Sequence, residues 1–233
     1  MPNSSYLCAT GLRTLYPSTT DAGFAPATGV VAYDVRCVPL LWLALFRPAD
    51  LVTQTIVVED DPDEVFYEFG PDGDLVEVEP GEDDDDEDDD EDVVEATAPL
   101  APKDRALAQL DAAVPVLNRI FAAEGPLDGH AAMLRAAVAA APGVYVTVEL
   151  DEIEGLWEPG TFQPALREAL ACLDGGAAAG RAHLAAISQL REGRPFPPAR
   201  MLLDGGDGFE DDDHWNFVRL LGANFSAAVP WEP

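Results

Sequence analysis

Eleven consecutive carboxylates fill positions 82–92, and a run of that kind repels itself and offers nothing to a hydrophobic core. It predicts a disordered acidic loop, bounded at about 80–98, and any folded body must be built from the segments on either side. The acidity is not confined there. Of the 44 Asp and Glu residues, 22 lie between positions 59 and 95, where there is no Lys or Arg, and the remaining 22 still outnumber the 13 bases. The formal charge is −31, and Lys103 is the sole lysine. A field of that sign repels nucleic acid and anionic lipid and draws in basic proteins at long range, so a basic protein partner is expected and neither nucleic acid nor membrane.

The 233 residues carry enough apolar sequence for one sizeable core, and the segments on both sides of the acidic run read as parts of a single α+β domain over 1–233. Residues 5–9 and 30–35 are β candidates, with a Gly- and Pro-bearing loop at 16–29 between them. Pro39 suits the first turn of a helix over 40–46 that is apolar all round, which places it in the middle of a core. Three β-leaning runs follow at 51–58, 65–69 and 75–78, separated by turns that favour antiparallel hairpins. The early half is thus mostly antiparallel strand and the second half helix-rich.

In that second half Leu107, Leu110, Val114, Leu117 and Phe121 form a helical stripe, and a helix over 129–140 ends at Pro142 and Gly143. Residues 144–150 alternate as the best strand, predicting outward positions among Tyr145, Thr147 and Glu149. Thr161 is placed to cap a helix carrying Phe162, Leu166, Leu170 and Leu173, and a further helix spans 183–190. Asp213 is placed to cap 214–221, with Gly222 as a left-handed stop.

Catalytic and metal-binding chemistry has little to stand on. Cys8, Cys37 and Cys172 are three widely spaced thiols without a C-x-x-C, which predicts reduced cysteines in a cytoplasm, and the N-terminus lacks a signal-peptide pattern. The most apolar run, 38–46, is far shorter than a membrane span needs. The three histidines, His130, His183 and His214, all fall on predicted helices. Cys172 and His183, on consecutive helices, are the one nucleophile–base pair worth naming, and they carry no spacing signature. The acidic turns at 204–213 and 72–74 place glycine where a calcium loop needs Asp or Asn, and no phosphate-cradling motif exists. No cofactor and no dedicated metal site are expected.

Two acidic clusters that carry a tryptophan remain. Asp151, Glu152, Glu154 and Glu158 surround Trp157 after the best strand, and Glu210, Asp211, Asp212 and Asp213 precede Trp215 at the last helix. An aromatic anchor ringed by carboxylates suits a surface that grips a Lys- and Arg-rich partner. Trp157, in the turn-rich segment 155–160, is expected at the surface.

The pieces Asn3-Ser-Ser-Tyr-Leu, Val38-Pro-Leu-Leu-Trp-Leu-Ala-Leu-Phe46 and Trp215-Asn-Phe-Val-Arg-Leu-Leu-Gly222 resemble a group of uncharacterised bacterial proteins associated with immunity in polymorphic and contact-dependent toxin systems. The resemblance implies a cytoplasmic inhibitor, not an enzyme, that covers the active site of a basic toxin domain, either a nuclease or another enzyme with a cationic cleft. Two alternatives stand beside it. One is a nucleic-acid mimic or acidic chaperone that sequesters a DNA-binding protein, and the other is an enzyme using Cys172 and His183.

Overall fold

The structure is a computed structural model, and it describes residues 4–11, 13, 15, 30–58, 66–69, 75–78, 92–175, 180–191, 193–199 and 211–222. Strand β1 (Ser4–Thr10) pairs antiparallel with β2 (Val30–Val35) on one side and β7 (Tyr145–Glu149) on the other. Strand β7 pairs in turn with β6 (Asp92–Pro102), and β6 with β3 (Leu51–Val58), so the order across the five-stranded antiparallel sheet is β2-β1-β7-β6-β3. Strands β4 (Phe66–Phe69) and β5 (Leu75–Val78) form a separate antiparallel pair, as the turn between them predicts. The helices are α1 (Leu40–Leu43), α2 (Lys103–Ile120), α3 (Asp128–Ala140), α4 (Asp151–Glu154), α5 (Phe162–Gly175), α6 (Arg181–Ile187) and α7 (Asp211–Leu221). The chain is α+β, with strands mostly early and helices mostly late.

Three elements differ from the sequence expectation, two strands because tertiary pairing and burial outweigh local preference and one helix because its last turn tightens locally. Strand β3 does not fold back on the next β run. It pairs over its whole length with β6, which begins at Asp92, so the predicted irregular stretch at 80–98 ends at the strand, and its remainder, 80–91, lies outside the described residues. The expected loop at 16–29 lies outside them too. Strand β7 is the middle strand and is covered on both faces, which leaves Thr147 and Glu149 buried where outward positions were expected. The Thr147 hydroxyl satisfies itself by donating to the Pro99 carbonyl at 2.9 Å. Helix α1 is one turn, not the two implied by 40–46, because the amides of Leu45 and Phe46 bond three residues back, to Trp42 and Leu43, as the chain tightens before Pro48.

The expectation that 38–46 forms the centre of the core holds, since every apolar side chain described there is at most 2% exposed. Trp42 reaches from this segment to the far end of the chain, its indole N–H donating to the Leu221 carbonyl at 2.9 Å. Helix α7 starts at Asp211, two residues before the predicted cap at Asp213, and stops at Gly222 with φ +111°, where the left-handed stop was expected. On α2 the predicted stripe of Leu110, Val114, Leu117 and Phe121 is buried and Leu107 half-buried.

The α2–α3 pair links β6 to β7 and is stitched back onto the sheet. The Lys103 amide donates to the Val144 carbonyl at 2.8 Å, its ammonium to the Ala141 carbonyl at 2.5 Å, and the Val144 amide to the Thr10 carbonyl at 2.9 Å. Gly143 makes that approach possible. Its φ is +89°, and a Cβ there would lie 2.7 Å from backbone atoms of Thr10. Gly143→Ala is therefore expected to cost about 2 kcal/mol or more, from the left-handed backbone and the clash together. Urea denaturation checks this, and a midpoint equal to wild type would show that the β1–β7 junction is not as close as described.

Candidate partner-binding site

The central strand β7 delivers the chain directly into the first acidic cluster. Leu150 turns it into the single-turn helix α4, closed by the Glu154 amide donating to the Leu150 carbonyl at 2.8 Å, so the 151–154 acids sit on a helical turn beside the sheet. Two of these carboxylates are held internally. The Ser4 amide donates to Glu152 Oε2 at 2.5 Å, which ties α4 to the start of β1. Gln163 Nε2 donates to Glu154 Oε2 at 2.6 Å and to the Thr97 carbonyl at 3.0 Å. Asp151 and Glu158 face solvent, and none of Asp151, Glu154 and Glu158 enters any of the salt bridges among the described residues. Although Asp151 is exposed as a residue, partial withdrawal of its carboxyl from water raises it above its ordinary value, and the charges of Glu154 and Glu152 push the same way.

Trp157 is not the exposed anchor that its turn-rich setting predicts. It is half-buried against the core, its ring edge-on to Phe162 with centroids 5.4 Å apart. The apolar side chain presented outward is its neighbour Leu156, 46% exposed. The turn explains the exchange, because the Trp157 amide bonds back to the Glu154 carbonyl and swings the indole over the start of α5. Thr161 closes the same turn by donating to the Glu158 carbonyl at 2.7 Å. Phe162, Leu166, Leu170 and Leu173 form the buried face of α5, as their spacing predicts.

Behind this edge lies a residue that sequence reasoning placed in the strand without a role. Glu149 is 6% exposed, and its Oε2 has no hydrogen-bond partner. Burial, reinforced by the charges of Asp151 and Glu152, pushes its carboxyl up to about 8, so the group holds its proton near neutrality. On the adjacent strand burial also raises Tyr6 and Cys8, with Glu149 adding to both. A glutamate ending a β run immediately before an acidic turn was the available signal. Alternation alone reads it as an outward residue and hides it.

The second cluster is only partly placed. Asp211, Asp212 and Asp213 occupy the first three positions of α7, while Glu210 and the turns at 204–210 and 72–74 lie outside the described residues. Among the described residues no group of three His, Cys, Asp or Glu side chains is arranged to hold a metal ion. Cys172 is buried on α5, where burial raises its thiol and a hydrogen bond with the Gly180 backbone partly opposes the rise. A shielded, raised thiol is the opposite of an activated nucleophile. His130 is buried as well, beside Phe217 at 5.8 Å, and neither ring nitrogen has a full hydrogen bond.

No helix among the described residues is long and apolar enough to cross a membrane. No family model, curated protein or solved structure matches the chain.

Proposed function

We propose that this α+β protein works by binding, as a cytoplasmic immunity-type inhibitor that covers the cationic active-site cleft of a basic toxin domain. The observation that carries the reading is the β7–α4 edge, where Asp151 and Glu158 reach solvent beside the exposed Leu156 and form no salt bridge among the described residues. Unpaired carboxylates around a small apolar contact provide charge for encounter and area for retention. The likeness of the two chain ends to immunity-type proteins supports the same partner class, and the buried, raised Cys172 thiol favours binding over turnover.

Affinity capture from the native host is expected to return one stoichiometric basic protein whose activity this chain inhibits. Neutralising Asp151, Glu154 and Glu158 together as Asn, Gln and Gln should weaken that complex at least about thirtyfold, roughly 2 kcal/mol. Unchanged affinity in calorimetric titration removes this edge as the interface. Promiscuous capture of many basic proteins overturns the inhibitor reading in favour of an acidic chaperone. The association rate should also fall steeply between low and physiological salt while dissociation changes less, as charge steering requires. Flat association kinetics in stopped-flow mixing would assign the acidity to solubility alone.

A further inference from the structure

The two ends of the five-stranded sheet are not alike. Strand β2, at one end, carries Asp34 and lies against a bulge in its partner at Leu7 and Cys8, and both features discourage further pairing. Strand β3, at the other end, contains no charged residue and no proline, and its register against β6 runs unbroken from Leu51 to Val58. Side-chain bonds on β6 show which way β3 points its backbone. The Thr97 carbonyl accepts from Gln163 and the Pro99 carbonyl from Thr147, so these two residues aim away from β3. Residues directly opposite them in an antiparallel pair aim the other way, which directs the N–H and C=O of Thr53 and, by alternation, of Thr55 and Val57 outward from the sheet. The Thr53 and Thr97 hydroxyls meet at 2.8 Å, as befits the closer, non-hydrogen-bonded kind of pair, and the Leu51 amide in the same row turns out to the Pro48 carbonyl. Among the described residues nothing bonds to the outward groups of Thr53, Thr55 and Val57, and the side chains of Thr53 and Thr55 are exposed.

A row of alternating donors and acceptors is met by another extended backbone, and the charge around it selects whose. Glu95 sits opposite Thr55, is exposed, and forms no salt bridge among the described residues. No Lys or Arg occurs between Arg47 and Lys103, so a second copy of this chain laid along the edge would bring acid against acid. The two faces of the ribbon also differ. Thr53, Thr55, Thr97 and Glu95 make one face polar, while Ala96 and Ala98 on the other are buried. Gln163, which reaches both Thr97 and Glu154, ties the same ribbon to the acidic turn α4. We propose that the outer edge of β3 is a strand-addition site for an extended segment of the basic partner, in which Lys or Arg alternates with apolar residues so that the basic side chains lie on the Glu95 face. The inference rests on the binding reading for the basic character of the partner and names the part of it that is held.

The test uses the full chain labelled with nitrogen-15 and three synthetic peptides: one alternating lysine and valine, one alternating glutamate and valine, and a copy of the first with every backbone amide methylated. The lysine peptide is expected to shift the Thr53, Thr55 and Val57 amides saturably and to slow their exchange with solvent. The methylated copy, equal in charge but without donors, should bind at least about tenfold more weakly, and so should the glutamate peptide. Thr55→Pro removes one outward donor without touching the bonds to β6, and it should weaken the lysine peptide by a similar factor. Equal binding of the methylated copy, or of the glutamate peptide, overturns the proposal, as do shifts that leave the three β3 amides unmoved or an unaltered affinity in a folded Thr55→Pro. Protection of those amides in a sedimenting dimer of the protein alone overturns it too, by giving the edge to a second copy. The peptides test the edge without the partner, whereas the inhibitor reading is decided by partner affinity of the Asp151, Glu154 and Glu158 triple variant, so the two failures are distinguishable.

Discussion

Trp42→Ala should remove about 4 kcal/mol of unfolding free energy, the largest loss expected from truncating any one of the described side chains. The side chain is fully buried within the 38–46 segment, and truncating a buried Trp costs about 3–5 kcal/mol through lost contacts and the cavity left behind. The change also strips the donor from the Leu221 carbonyl, which Trp42 Nε1 satisfies at 2.9 Å. Domains have only about 5–15 kcal/mol in reserve, so the variant should be partly unfolded at physiological temperature. Trp42→Phe separates the two contributions, keeping most of the volume while orphaning the carbonyl, and should cost about 1–3 kcal/mol. Urea denaturation measures both. A loss below about 1 kcal/mol in Trp42→Ala would mean that the α1–α7 junction is not the core of the fold.

Stability should fall on both sides of a maximum in mildly acidic solution, for two opposite reasons. Burial lowers His130 to about 4, with the Pro197 backbone opposing that change, so the folded protein prefers the neutral ring and the unfolded chain takes up a proton near 6.5. That contribution is fully present above about 6.5 and is lost as pH falls towards 4. Glu149 works the other way. Its folded carboxyl titrates at about 8 and its unfolded one at 4.5, so the contribution is present below 4.5 and is lost as pH rises through 8. Every tenfold difference in proton affinity between the folded and unfolded chain is worth about 1.4 kcal/mol, so the Glu149 contribution, on the order of 5 kcal/mol, should disappear progressively as pH rises from 4.5 to 8. Glu149→Gln should flatten that limb and leave the acid limb intact, while His130→Leu should flatten the acid limb. Thermal midpoints between pH 4 and 9 decide this, and parallel profiles for wild type and Glu149→Gln would show that Glu149 is ionised in the folded state.

What the sequence made legible is what local periodicity and turn chemistry control. The buried faces of α2 and α5 follow from leucine spacing, Gly222 from its place after an apolar helix, and β1, β2 and β7 from their β-rich composition. Strand β6 was hidden because Ala96, Ala98, Pro99, Ala101 and Pro102 are poor strand formers. They are held extended by β3 on one side and β7 on the other, a long-range cause that no local window contains. At the candidate site the acids of α4 were legible from composition. The half-burial of Trp157 and the enclosure of Glu149 were not, because both depend on what packs over the strand and turn rather than on the residues themselves.

The order of strands across the sheet sets when folding can finish. Strands β1 and β2 form one ribbon and β3 and β6 another, and among the described strands only β7 joins them. Because β7 begins at Tyr145, a nascent chain carries two incomplete ribbons until well over half of it has left the ribosome. Pairings so distant in sequence form slowly and leave strand edges open to other chains in the meantime. Most of the acidic residues between positions 59 and 95 emerge during that wait, and their mutual repulsion between neighbouring nascent chains opposes edge-to-edge aggregation before the keystone strand arrives.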